Sequence, residues 1–160
     1  MGESGETWWA RGAKRMFMGE FRHSLDDKGR LFIPARLREQ LGSRFVITKG
    51  LDRCLFLYSG REWEGVEEKL GQLPLTSSEA RAFARFFFAG ASECEPDKQG
   101  RILVPQVLRE YASLTKDAVI VGVATRVEIW PQEGWDTYAT DAQASPEELA
   151  ENLGKLGLLK

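Results

Sequence analysis

A stretch of fourteen residues recurs in this chain with half of its positions unchanged. Residues 26–39 read Asp-Asp-Lys-Gly-Arg-Leu-Phe-Ile-Pro-Ala-Arg-Leu-Arg-Glu, and residues 97–110 read Asp-Lys-Gln-Gly-Arg-Ile-Leu-Val-Pro-Gln-Val-Leu-Arg-Glu. At an offset of 71 the pairs Asp26/Asp97, Gly29/Gly100, Arg30/Arg101, Pro34/Pro105, Leu37/Leu108, Arg38/Arg109 and Glu39/Glu110 are identical. Ordinary residue usage gives about one match in such a window. Three further positions exchange one apolar residue for another (Leu31/Ile102, Phe32/Leu103, Ile33/Val104). Such a duplication requires two copies of one folding unit, packed together.

The register continues past the motif with one residue inserted. At an offset of 72, Gly50 meets Gly122, Leu57 meets Ile129, Tyr58 meets Trp130 and Trp63 meets Trp135. In the first copy, apolar segments 17–24 and 30–33 flank an Asp/Gly turn, which predicts a β-hairpin or a strand–loop–strand. Pro34 suits the first position of a helix, where its missing N–H is not needed. Leu37 and Leu41 share a face of that helix, and Gly42 can end it. Strands follow at 45–48 and 54–58. The second copy repeats the order, with strands at 90–94, 101–104, 119–123 and 126–130 and a helix at 105–111.

Two helices are predicted between the copies. Ser59 and Glu62 have capping-box spacing ahead of Trp63, Val66, Leu70 and Leu73, and Thr76 and Glu79 repeat it ahead of Phe83, Phe86 and Phe87. Beyond the second copy Trp135 and Tyr138 begin another helix. Ser145-Pro146-Glu147-Glu148 opens an acidic one with Leu149, Leu153 and Leu156 on one face. The fold class is therefore α+β, two tandem halves with peripheral helices. The expected divisions are a leader at 1–15, repeat one at 18–64, connecting helices at 65–89, repeat two at 90–136 and an acidic helical tail at 137–160. Residues 1–15 read as a disordered leader or a start placed upstream of Met16 or Met18.

Composition narrows the classes. Two cysteines far apart, Cys54 and Cys94, make no disulfide framework and point to a reducing, intracellular setting. No apolar run approaches the ~18 residues of a membrane span. The net charge of −2 argues against indiscriminate nucleic-acid binding, but the charge is unevenly placed. Residues 11–53 carry eleven Lys or Arg against five Asp or Glu, whereas residues 54–160 carry eleven against seventeen. A local positive face can bind phosphate while the whole chain is acidic.

The repeated Asp-x-x-Gly-Arg loop admits two readings. As structure, Gly29 and Gly100 permit a positive φ, Asp26 and Asp97 supply acceptors that close the turn, and each Arg pairs with its own Asp or with its counterpart in the other copy. As function, Arg30 and Arg101, beside Lys28 and Lys98, present forked donors suited to phosphate or a guanine edge.

These residues carry a family resemblance. Leu25-Asp26-x-Lys28-Gly29-Arg30-Leu31-x-Ile33-Pro34, the second Asp97-x-x-Gly100-Arg101, Ala91-Ser92-Glu93-Cys94 and Glu128-Ile129-Trp130 closely resemble the MraZ proteins, from about Met16 to about Tyr138. The resemblance implies two AbrB-like (SpoVT-AbrB) swapped-hairpin β-barrel halves in one chain and assembly into a homo-oligomeric ring. It implies a bacterial transcriptional regulator, cytoplasmic and nucleoid-associated. Such a regulator binds direct repeats in double-stranded promoter DNA and mostly represses its own division and cell-wall gene cluster. The family's Asp-x-x-x-Arg motifs match Asp26/Arg30 and Asp97/Arg101. Arg22, Lys28, Arg30, Arg36, Arg38, Lys98 and Arg101 are the expected DNA-binding set, with Asp26, Gly29, Pro34, Asp97, Gly100 and Pro105 shaping the motif. The first copy is the expected reader, because Lys28, Arg22, Arg36 and Arg38 surround it with positive charge, whereas Glu93 and Glu95 make the second less inviting to phosphate. The leader and the long acidic tail stand outside the family pattern.

Other classes find less support. His23, the only histidine, lies on a predicted strand with no suggested catalytic pairing. His23, Cys54 and Cys94 are too few and scattered for a zinc site. No phosphate-cradling glycine loop appears, and each motif Asp has an Arg beside it to keep it ionised. No enzyme activity, cofactor, metal or small-molecule substrate is expected. The alternative is an oligomeric scaffold without specific DNA binding, its interface built from the tryptophans and the 83–88 phenylalanine cluster. Core packing is the preferred reading for Phe83, Phe86 and Phe87.

Overall fold

Strands from the two copies interleave instead of forming two separate sheets. The computed structural model describes residues 16–142 and 145–158, so the expected leader lies outside the described residues. The first copy supplies β1 (Phe17–Ser24), β2 (Arg30–Phe32), α1 (Ala35–Leu41), β3 (Phe45–Lys49) and β4 (Leu55–Ser59). Helices α2 (Gly60–Gly71) and α3 (Ser78–Ala89) connect it to β5 (Ser92–Cys94), β6 (Arg101–Leu103), α4 (Gln106–Ala112), β7 (Asp117–Ala124) and β8 (Arg126–Pro131). Helix α5 (Gln132–Thr137), a π-helical turn and α6 (Pro146–Lys155) are the last elements among the described residues.

Six strands form one sheet in the order β1-β7-β8-β4-β3-β5, and β2 pairs with β6 in a separate ribbon. Four antiparallel ladders, β1–β7, β2–β6, β3–β5 and β4–β8, join one repeat to the other. Only β3–β4 and β7–β8 are internal to a repeat among the described residues. Neither half has a sheet of its own. The architecture is α+β with two repeats, but no closed barrel is found among the described residues, since β1 and β5 end the large sheet.

The loops explain this departure. The hairpin alternative for 17–33 does not form, because β1 pairs with β7 while β2 leaves for β6. β2 and β6 are three residues long, and one residue separates each from Pro34 or Pro105. Proline has no N–H to extend a ladder. Both prolines occupy the N-cap, not the first helical position, and their carbonyls accept the first helical hydrogen bonds. Leu37 and Leu41 are buried as expected, and Gly42 ends α1 at φ 91°.

β3 and β4 are buried on both faces, which accounts for their unbroken apolar runs. Phe45, Ile47, Leu55 and Leu57 enter a core shared by both repeats with Leu31, Leu37, Ile102, Leu108 and Ile120. Phe56 and Tyr58, on the alternate positions, join Val119, Val121, Trp130 and Phe87 in a second cluster. The repeat-related aromatics turn matching corners: Trp63 stacks on Phe87 at 5.6 Å, and Trp135 meets Trp130 edge-on at 5.2 Å.

Other expectations shift locally. Gly90 caps α3, so the predicted 90–94 strand shrinks to Ser92–Cys94. Ser77, one residue after the predicted cap, accepts the Ala80 amide. Phe87 is core, but Phe83 remains 37% exposed, so the phenylalanine cluster is only partly interior. Ser145 caps α6, whose Leu149 and Leu153 are 39% and 40% exposed. Cys54 and Cys94 are free and buried, and burial pushes the Cys94 thiol up to about 12 and the Cys54 thiol higher than its usual value. Among the described residues, no helix is long and apolar enough to cross a membrane.

Candidate nucleic-acid interface

Each motif loop is closed by its own aspartate. Asp26 Oδ1 accepts the amides of Lys28 and Arg30, each at 2.9 Å, and its backbone carbonyl accepts the Gly29 amide at 3.0 Å. Asp97 does the same for Gln99, Arg101 and Gly100. Gly29 and Gly100 both sit at φ +82°, where a side chain is strained. The structural reading of Asp and Gly is therefore satisfied in both copies.

Each arginine pairs with its own aspartate, and Arg101 alone also approaches the aspartate of the other copy. Arg30 Nε donates to Asp26 Oδ2 at 2.6 Å, and Arg101 Nε to Asp97 Oδ2 at 2.9 Å. An Arg101 terminal nitrogen also lies 3.8 Å from Asp26 Oδ2, so the two loops are neighbours. The ribbon brings them together, with Arg30 opposite Leu103 and Phe32 opposite Arg101. Arg30 and Arg101 are about equally exposed, at 33% and 30%. Exposure does not choose between the copies.

The Arg30 amide, its guanidinium and the Lys28 amide favour the ionised carboxylate of Asp26 more than partial desolvation opposes it, lowering its pKa to about 2. Asp97 is lowered by the corresponding Arg101 and Gln99 contacts. For a carboxylate depressed in the fold, the contribution to stability is present above the ordinary value of 3.8 and is lost as pH falls through the folded value. NMR titration should find Asp26 ionised at about pH 3, where an unperturbed Asp is mostly protonated. A midpoint near the ordinary value would contradict this loop geometry.

The remaining expected site residues divide by contact. Lys28, Arg36 and Lys98 are exposed around the loops. Arg22 bonds instead to Glu20 and Asp136, at 3.0 and 3.1 Å. Arg38 sends Nε to the Ile33 carbonyl at 2.6 Å and lies over Phe32. Beside the first loop, a cleft is lined by Asp26, Asp27, Gly29, Arg109, Thr115 and Lys116. Its counterpart beside the second copy is lined by Arg38, Glu39, Gly42, Ser43, Glu95 and Pro96. Arg109 and Lys116 were missing from the expected set. The Arg38/Arg109 identity pointed to the former, whereas Lys116 meets the first loop only through the fold, its carbonyl accepting the Leu25 amide.

His23 packs edge-on against Phe32 at 5.0 Å. No group of three or more His, Cys, Asp or Glu suited to a metal occurs among the described residues.

The duplicated geometry coincides with a duplicated family match. The family described as "MraZ protein, putative antitoxin-like" matches residues 16–86 and again 87–155. The chain belongs to the MraZ family. A "Transcriptional regulator MraZ" of Desulforamulus reducens is 64% identical over 138 residues, covering 86% of this chain and 97% of that protein. The protein of the same name from Pelotomaculum thermopropionicum is 63% identical over 143 residues, covering 89% and 99%. One from Carboxydothermus hydrogenoformans is 62% identical over 138 residues, covering 86% and 96%. Because the MraZ match reaches residue 155, most of the acidic tail belongs to the family pattern, contrary to expectation.

Proposed function

We propose that this chain is a sequence-specific DNA-binding transcriptional regulator that represses its own division and cell-wall gene cluster through direct repeats in the promoter. The observation that carries the reading is the pair of adjacent, aspartate-closed arginine loops on the β2–β6 ribbon. A guanidinium steadied through Nε keeps its terminal nitrogens for a phosphate or guanine edge. Lys28, Arg30, Arg36, Lys98 and Arg101 make the contacts, and the first loop is the principal reader. Beside the second, Glu95 reduces the attraction for phosphate. The chain acts in the cytoplasm at the nucleoid, without enzymatic activity.

The regulator assembles into a homo-oligomeric ring, its strands exchanged in the swapped-hairpin manner. Leu73 and Leu75, in the loop between α2 and α3, and Phe83 and Phe88, on α3, remain exposed and offer surface for a second copy. A ring presents several loop pairs to repeated DNA sites and gains affinity through avidity.

The test is a gel shift with the chain's own upstream promoter DNA at two salt concentrations. Arg30→Ala combined with Arg101→Ala should abolish the sequence-selective shift and flatten its salt dependence by about one unit of slope per lost phosphate contact. Oligomer size should stay unchanged. No selective shift by the unmodified protein would remove the reading. Undiminished selectivity in the double variant would remove these residues from it.

A further inference from the structure

Each motif loop is held by the opposite repeat. The carbonyl oxygen of Gly29, in the first loop, accepts the Val104 amide at 2.9 Å. The Val104 carbonyl accepts Arg109 Nε, also at 2.9 Å. The same guanidinium lies against Gly29: a Cβ built there would stand 2.8 Å from Arg109 Cζ and Nε. Val104 and Arg109 belong to repeat two, so a three-residue clasp closes across the repeat boundary. The mirror clasp joins the Ile33 amide to the Gly100 carbonyl at 3.0 Å and Arg38 Nε to the Ile33 carbonyl at 2.6 Å. Arg38 then lies against Gly100 as Arg109 does against Gly29.

We propose that Arg109 is a positioning residue for the first, DNA-reading loop and Arg38 for the second, so that each repeat sets the geometry of the other's contact arginine. This rests on the DNA-binding reading above and changes the role expected of Arg38 from phosphate contact to loop support. The clasp explains why arginine recurs at both positions. Nε meets a carbonyl while the flat guanidinium lies against a backbone without a Cβ. A lysine ammonium keeps the charge but has neither the Nε donor nor the plane. Glycine is required for the same contact, apart from its positive φ.

The effects are crossed, and that makes them testable. In Arg109→Ala, peptide-level hydrogen exchange should quicken by about tenfold or more at residues 26–30 and change little at 97–101, since losing a local support raises local opening. Arg38→Ala should give the reverse pattern. Promoter affinity should fall by about tenfold or more in Arg109→Ala, less in Arg38→Ala, with the salt slope unchanged, because a supporting residue neutralises no phosphate. Arg109→Lys keeps the charge and the helix-forming side chain and should behave like Arg109→Ala.

Normal promoter affinity in Arg109→Lys, or a salt slope lowered by about one in Arg109→Ala, would overturn the proposal by making Arg109 a direct phosphate contact. Uncrossed exchange, with each variant loosening its own repeat's loop, would overturn it independently of DNA. If exchange crosses as expected but Arg30→Ala with Arg101→Ala leaves promoter binding intact, the clasp stands as loop support and the DNA-reading assignment fails.

Discussion

Leu31→Ala is expected to lower stability by about 2–5 kcal/mol, the range for removing a large aliphatic side chain from a packed core. Leu31 has no exposed surface, and its ribbon partner Ile102 is 1% exposed. Both enter the core that contains residues of the two repeats together. The cavity therefore opens at the junction of the copies and not inside one of them. Urea unfolding followed by tryptophan fluorescence and by far-ultraviolet circular dichroism should shift to a lower midpoint at fixed protein concentration. The two probes should remain coincident, as they do for one cooperative unit. Two separated transitions would mean that the halves fold independently, against the interleaved strand order.

Gly122→Val should be comparably severe for a different reason. Gly122 lies opposite Gly19 in the β1–β7 ladder. A Cβ at Gly122 would run into the Met18 backbone nitrogen and approach Met18 Cα and the Phe17 carbonyl carbon to 2.7 Å. Backbone atoms in a ladder cannot move aside as a side-chain tip can, so the start of β1 must lift away from β7. Phe17, 4% exposed, then leaves the core, and the cost approaches the about 3–5 kcal/mol of deleting a buried Phe. Amide exchange should quicken throughout the first half of β1. Gly65→Ala is the control, because nothing lies within 4 Å of its added methyl and helix propensity favours alanine by about 1 kcal/mol. A denaturation midpoint for Gly122→Val equal to the unmodified protein would refute the packing argument.

Much of the fold was legible because local chemistry and tertiary structure agree. The 17–24 strand, the Pro34 and Pro105 helix starts, the buried Leu37 and Leu41, the Gly42 stop and the Ser59 and Ser145 caps all follow from properties of single residues or short spacings. Errors gathered where two signals competed locally. Ser77 took the cap expected of Thr76, and Gly90 ended a helix where a strand was expected to begin. The two-sided burial of β3 and β4 is not legible in the sequence, since a short apolar run does not say what covers each face.

The site divides the same way. Asp26, Gly29 and Arg30 interact within five residues, so spacing alone foretold their turn and ion pair. Arg109 reaches Gly29 across eighty positions, and Lys116 reaches Leu25 across about ninety; spacing carries no information about either. Arg22 sits close to the motif in sequence but bonds to Asp136 of α5, because period two along β1 turns it away from the face where His23 meets Phe32.

By itself, the sequence determined that there are two copies of one unit, each with an aspartate-closed arginine loop, since identity at a fixed offset and turn chemistry are written in the order of residues. Only the tertiary structure decided that the copies exchange strands, that their loops are neighbours and that each loop is clasped by the other repeat's arginine. Ladder pairing and packing depend on which backbone edges meet, and that choice is made by burying two incomplete apolar faces against each other.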